Sequence, residues 1–173
     1  VSPMHLPYNY IVRNFINQYI SGRWSPLRNV LGLSKYYFPI IEEELLAAGL
    51  PLELRYLPII ESNLSIRATS RMGAVGLWQF MPATGKNLGL EINSLVDERC
   101  DIVKSTRAAC QFLRHLYKVY GDWTLAIAAY NCGPGTVNKA IAMAGSKCRT
   151  YWDIYDYLPT ETRGYVPKFI AAV

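Results

Sequence analysis

No apolar run in this chain approaches the ~18–20 residues that a membrane-spanning helix requires. The stretch TLAIAAY at 124–130 is typical of the longest present. A soluble chain is expected. The opening VSPMHLPYNY carries no signal peptide and looks like the start of an excised segment, so it leaves the compartment open. Metal-ligand patterns are missing as well. There is no CxxC pair, and the two histidines, His5 and His115, lie far from any metal-like spacing, which argues against zinc. Blocks of like charge are absent. Arg13, Arg23, Arg28, Lys35, Arg55, Arg67, Arg71 and Lys86 are scattered, and no nucleic-acid motif accompanies them, so nucleic acid is not an expected partner. Internal repeats and low-complexity tracts are also lacking. Charged residues make up 18% against 51% hydrophobic, which excludes disorder.

What is present suits one domain. The 173 residues are enough to bury roughly two-thirds of the unfolded surface. Aromatics reach 13%, with 13 Tyr and 4 Trp, which fits either a groove that stacks on sugars or bases, or an aromatic core. The net charge of +5 favours an anionic partner. Cys100, Cys110, Cys132 and Cys148 allow three disulfide pairings, or four free buried thiols.

The dominant hydrophobic period is helical. Tyr8, Ile11, Val12, Phe15, Ile16 and Tyr19 form one stripe, with Gly22 as a stop signal. Ser34 is a candidate N-cap for a helix carrying Phe38, Ile41 and Leu45 and closing at Gly49. Glu42, Glu43 and Glu44 fan around that helix by ~200°, as a solvated face does. LELRYLPIIE after Pro51 reads as a short helix ending near Glu61. Ala109, Phe112, Leu113, Leu116, Tyr117 and Tyr120 make a second stripe, ended by Gly121, with His115 on its polar side. Asp122 is placed to cap DWTLAIAAYN. The Gly133-Pro134-Gly135 break precedes a helix through Ala144, and a last helix follows Pro159. Strand alternation is nearly missing, the loop at 65–75 being its only trace. The expectation is an all-α domain of about eight helices.

One segment departs from this pattern: LPIIESNLSIRATSRMGAVGLWQFMPATG, 57–85. Glu61 follows four residues that offer no polar partner, so desolvation raises its pKa and keeps a proton on it, as a general acid requires. The alternative is that Glu61 caps the helix or pairs with Arg55 or Arg67. Gly73, Ala74 and Gly76 let the chain pass close to something, and Gln79 between Trp78 and Phe80 needs hydrogen-bond partners. Tyr130 and Asn131 stand at a helix end before the Gly-Pro-Gly break, where they can reach a ligand.

With these residues the chain resembles the lytic transglycosylase (soluble lytic transglycosylase-like) family of the lysozyme superfamily. The resemblance runs from about Pro51 to Val166. It rests on Glu61-Ser62, on the block Ser70 to Gln79 followed by Met81-Pro82-x-Thr84-Gly85, on Ala129-Tyr130-Asn131, and on Glu161-Thr162-Arg163-x-Tyr165-Val166. Trp78 and the preceding LRYLPIIES look most like the membrane-bound lytic murein transglycosylase D branch. The resemblance implies a lysozyme-like fold with a glycan groove, in a single catalytic domain over 1–173, with helices 1–50 packed on a core at 51–166. It implies Glu61 as the single acid/base, with Ser70 and Gln79 near the scissile bond and Met81 along the groove. It gives Tyr130 the role of positioning Glu61 or the substrate carbonyl, Ser62 and Asn131 supporting roles, and Glu161 the role of a carboxylate that helps hold the groove.

The implied reaction is non-hydrolytic cleavage of the MurNAc–GlcNAc β-1,4 bond to 1,6-anhydro ends, using the substrate's own N-acetyl carbonyl, since the segment after Glu61 has no Asp or Glu until Glu91. A hydrolytic, goose-type muramidase and a non-catalytic peptidoglycan-binding module are the alternatives. No metal or organic cofactor is implied. The expected partner is the anionic glycan strand of peptidoglycan, met by a monomer in the cell envelope, in the periplasm or tethered to the outer membrane. Cys132 follows Tyr130-Asn131, but no histidine lies near it in sequence to make it a nucleophile.

Overall fold

The computed structural model describes residues 4–21, 24–145 and 150–173, and among these the chain is helical with no strand longer than an isolated bridge. Nine α-helices are described, with three short 3-10 turns at Leu52–Tyr56, Glu98–Cys100 and Tyr155–Tyr157. The all-α expectation holds. Gly22 and Cys148 lie outside the described residues.

Helix α6 (Trp123–Cys132) is the axis of the fold. Its residues 123–129 are all buried, as expected of a helix that is apolar around its whole circumference. Around it pack α5 (Ile102–Tyr120), α7 (Pro134–Ala144), α8 (Tyr151–Ile154) and α9 (Thr160–Ala172). Asp122 caps α6 by accepting from the Leu125 N–H at 2.9 Å. Helix α5 turns its buried Ala109, Leu113 and Leu116 inward, leaves His115 exposed, and stops at Gly121, where φ is +66°. Each buried leucine contributes about 1.5–3 kcal/mol relative to exposure.

Helix α1 (Tyr10–Ile20) packs on α9, and α2 (Leu27–Ala47) packs on α5. The α1 stripe buries only Val12 fully, and Tyr8 lies exposed ahead of the helix, whose cap is Asn9. Ser34 is not an N-cap: α2 begins seven residues earlier and runs through it. The Ser34 hydroxyl donates back to the Leu31 carbonyl at 3.0 Å, which lets serine sit inside a helix. Gly49 closes α2 as expected, with φ +65°. The three glutamates divide. Glu43 is exposed, Glu42 is ion-paired with Arg55, and Glu44 takes Arg107 from α5 through two bonds of 2.8 and 2.9 Å. They are a solvated face at one position and clamps between elements at two.

Two short helices carry the site. Helix α3 (Leu57–Ser62) packs on α9, and α4 (Pro82–Asn87) follows the long loop at 63–81. Pro167 lies inside α9 and cannot donate to the Arg163 carbonyl one turn back. That carbonyl accepts instead from the buried Tyr151 hydroxyl at 2.8 Å, so α8 supplies the bond that proline removes.

Candidate active site

The last turn of α3 holds Glu61 and Ser62, and the chain leaves it through two consecutive left-handed residues, Asn63 (φ 51°) and Leu64 (φ 61°). A leucine in this region is strained, and full burial of its side chain holds it there. The loop that follows is fastened from several sides. The Ser62 hydroxyl lies 3.0 Å from both the Pro58 and Leu77 carbonyls. The Gly76 N–H donates to the Ala68 carbonyl at 3.0 Å, and the Val75 N–H donates to the Phe80 carbonyl at 3.1 Å. Buried Arg99 donates to the Gly73 and Phe80 carbonyls at 3.0 Å each and is held by Asp97 at 2.7 and 2.9 Å. Gly76 has no alternative: a Cβ there would stand 2.0 Å from the Arg99 carbonyl oxygen, at φ +88°.

The result is a groove of about 660 Å³. Its walls come from α3 (Ile60, Glu61), the loop (Ser70, Met72, Ala74, Gln79, Phe80, Met81), α4 (Thr84), α5 (Phe112), the end of α6 (Ala129, Tyr130, Asn131) and α9 (Glu161, Tyr165, Lys168). Of the eight residues expected at a site, seven line this groove and Ser62 sits behind it.

Their roles differ in detail. Glu61 is partly buried, and no ion pair among the described residues includes it; Arg55 is spent on Glu42, and neither Arg55 nor Arg67 lines the groove. Burial pushes the Glu61 carboxyl up from 4.5 to about 7; a hydrogen bond from the Tyr165 hydroxyl opposes this, and the charge of Glu161 adds to the rise. Its place in the last turn of a helix, at the negative end of the dipole, acts in the same upward direction.

The hydroxyl on Glu61 therefore belongs to Tyr165. Tyr130, expected to position either Glu61 or the substrate carbonyl, donates to the Trp78 carbonyl at 2.7 Å rather than to Glu61, while its ring leans on Phe80 and Phe112. It fastens the loop to α6. Ser70 Oγ accepts from the Ala74 N–H at 3.0 Å, which leaves its proton for a ligand. Gln79, at φ 50°, spends its amide N–H groups on the Ala68 and Gly76 carbonyls (3.0 and 2.9 Å), which turns its Oε1 into the free group. Asn131 Oδ1 accepts from Thr162 Oγ1 at 2.8 Å and so ties α6 to α9. Met81 is 40% exposed on the groove wall.

Tyr165, present in the Glu161–Val166 motif but given no role there, and Lys168 are groove residues that the sequence left unassigned, although Glu161, Tyr165 and Lys168 are spaced i, i+4, i+7 and so share one face of α9. Cys100, Cys110 and Cys132 are free thiols, with Cys110 buried. Burial raises the Cys132 thiol's pKa, which disfavours the thiolate form.

A family model of the Transglycosylase SLT domain matches residues 38–152. Membrane-bound lytic murein transglycosylase D of Escherichia coli (strain K12) is 39% identical over 171 residues, covering 97% of this chain and 37% of that protein. A putative tributyltin chloride resistance protein of Alteromonas sp. (strain M-1) is 42% identical over 112 residues, 64% of this chain and 54% of that one. The chain thus spans between about a third and a half of the length of these curated relatives. Among solved structures, the 70 kDa soluble lytic transglycosylase of Escherichia coli superposes with a TM-score of 0.68 at 22% identity, over 94% of this chain and 28% of that one. An inactive Glu-to-Gln mutant of the lytic transglycosylase Slt of Pseudomonas aeruginosa gives a TM-score of 0.65 at 23% identity, over 78% and 23%. At these identities the structural likeness carries the fold alone.

Proposed function

The chain belongs to the transglycosylase SLT-domain family, and from that premise we propose that it cleaves the MurNAc–GlcNAc β-1,4 bond of peptidoglycan without water, leaving 1,6-anhydro-MurNAc ends. The observation that carries this reading is the Glu61 carboxyl, set in the groove wall with a pKa pushed up to about 7 and a hydroxyl at its oxygen. Near neutrality it still holds a proton in a substantial fraction of molecules and can also carry the charge that a base needs.

The steps balance on Glu61 and the sugar. Protonated Glu61 gives its proton to the glycosidic oxygen as the bond to C1 of the muramic sugar breaks. The N-acetyl carbonyl oxygen of the same sugar closes on C1. The Glu61 carboxylate then removes the proton from the C6 hydroxyl, and O6 displaces the carbonyl oxygen from C1, which forms the anhydro ring and restores the acid. Tyr165 donates to the Glu61 carboxylate between the two proton transfers. Ser70 Oγ–H and Gln79 Oε1 supply a donor and an acceptor for the N-acetyl and hydroxyl groups. The helices ahead of residue 51 support the groove through their packing, α1 on α9 and α2 on α5, and one copy of the chain suffices.

A hydrolytic muramidase is the second reading, and one observation favours it: Glu161 lines the same groove, so Glu61 is not the only carboxylate there. As a base on water, Glu161 would complete a two-carboxylate pair. Mass spectrometry of digested sacculi separates the two, because anhydro ends are one water lighter than reducing ends. Loss of turnover in Glu61→Gln is expected in both cases, whereas Glu161→Gln abolishes turnover only if Glu161 activates water. A non-catalytic binding module would give no products at all.

The substrate places the protein's work in the cell envelope, in the periplasm or on a membrane facing it. No helix among the described residues is long and apolar enough to cross a membrane.

A further inference from the structure

Beside the catalytic groove lies a second cleft of about 540 Å³, formed between α1, Trp24, α3 and α9. The two share a wall: Ile60, next to Glu61, and Lys168 line both. The second cleft is faced with rings. Tyr19 and Trp24 meet edge to face at 5.0 Å, and the Phe15 ring lies 5.7 Å from the Lys168 ammonium. Gln18 and Asn63 add two exposed carboxamides, and neither makes a side-chain hydrogen bond among the described residues. No ion pair among the described residues includes Lys168.

This lining has a defined chemistry. Rings hold small apolar groups, carboxamides pair with peptide N–H and C=O groups, and an ammonium free of carboxylates in its own chain takes an anion. Neutral pyranose rings have no use for the ammonium. The anions of the substrate sit on the peptide that leaves the muramic lactyl group, and the cleft opens one residue from Glu61, within reach of the sugar that reacts. Phe15, Gln18, Tyr19, Trp24 and Lys168 all lie outside residues 38–152, so this wall is added by segments beyond the matched domain.

We propose that this cleft receives the acidic peptide stem of the muramic sugar being cleaved, with Lys168 binding a stem carboxylate and Gln18 and Asn63 pairing with its backbone. The inference rests on the glycan reading of the neighbouring groove. It makes the chain selective for peptide-bearing over denuded strands.

The test is binding by the full chain carrying Glu61→Gln, which holds substrate without turning it over. A GlcNAc-MurNAc tetrasaccharide with tetrapeptide stems is compared by calorimetry with the same tetrasaccharide whose lactyl carboxyls are capped as methylamides, so that the reference ligand carries no carboxylate. The peptide-bearing ligand is expected to bind roughly five- to tenfold tighter, with the advantage shrinking as salt rises. Lys168→Met should remove most of that advantage, Lys168→Arg should keep it, and Trp24→Ala should reduce it. Lys168 is exposed, so its variants test the cleft even if Trp24→Ala fails to fold. Equal affinity for the two ligands, or an advantage unchanged in Lys168→Met, overturns the inference. Sacculus turnover by the native chain, measured in parallel, keeps the readings apart: turnover without a peptide advantage overturns this inference alone, and absence of turnover together with failure to bind either ligand overturns both.

Discussion

Replacing Glu61 by Gln should make the protein more stable, and more so as pH rises. The folded carboxyl titrates at about 7 and an ordinary glutamate at 4.5, so the folded state holds this proton more tightly than the unfolded state does. Stability linked to the group is therefore complete below pH 4.5 and is lost as pH climbs through 7, when a desolvated carboxylate must form. Each unit between the two values is worth about 1.4 kcal/mol. The charge thus destabilises the native chain by about 3 kcal/mol at pH 8 and about 1 kcal/mol at pH 5. Gln keeps the shape and accepts the Tyr165 hydrogen bond, but never ionises. For a chain of this length the melting temperature of Glu61→Gln should exceed that of the native protein by roughly 6–12 °C at pH 8 and by a few degrees at pH 5. Calorimetric melts at the two pH values check this. An increase of equal size at both, or a lower melting temperature at pH 8, would refute the claim that burial holds the proton on Glu61.

Other outcomes follow from the same geometry. Tyr165→Phe removes the bond that opposes burial, so the alkaline limb of the turnover profile should move up by about one to two pH units, at about 1.5–3 kcal/mol for a hydrogen bond to a charged group; an unmoved limb would remove Tyr165 from the reaction. Gly76→Ala cannot fit against the Arg99 carbonyl at φ +88°, and a loss of roughly 2–5 kcal/mol in denaturant unfolding is expected, with turnover falling as the loop shifts. Cys132→Ser should keep near-native turnover on sacculi, since burial raises the thiol's pKa and so disfavours the thiolate; near-complete loss with an unchanged circular dichroism spectrum would count against that.

Much of the fold was readable because its helices declare their own ends. Asp122, Gly121, Gly133 and Pro159 act on their nearest neighbours, and local signals of that kind survive in sequence. Ser34 misled for the same reason: a serine that bonds back to Leu31 and one that caps a helix look alike until the residues before it are seen to be helical. Short α4 and α8 have no stripe to read; what marks them is local, Pro82 at the first position of α4 and the Thr150–Asp153 capping box of α8. Glu61 was legible from the apolar LPII run ahead of it. Its partner was not, because Tyr130 and Tyr165 both stand on helices that approach α3, and only the packing of α6 and α9 decides which hydroxyl reaches the carboxyl. Arg99 left no trace at all in the sequence reading. Its guanidinium acts on carbonyls 19 and 26 residues away, and carbonyls carry no sequence signature.

The most direct measurement is mass spectrometry of the soluble products released from purified sacculi by the native chain. Muropeptides ending in 1,6-anhydro-MurNAc, one water lighter than reducing ends, and absent from the Glu61→Gln digest, are predicted. Reducing ends that take up labelled oxygen from water would contradict the account and hand the groove to a hydrolase with Glu161 as its second carboxylate.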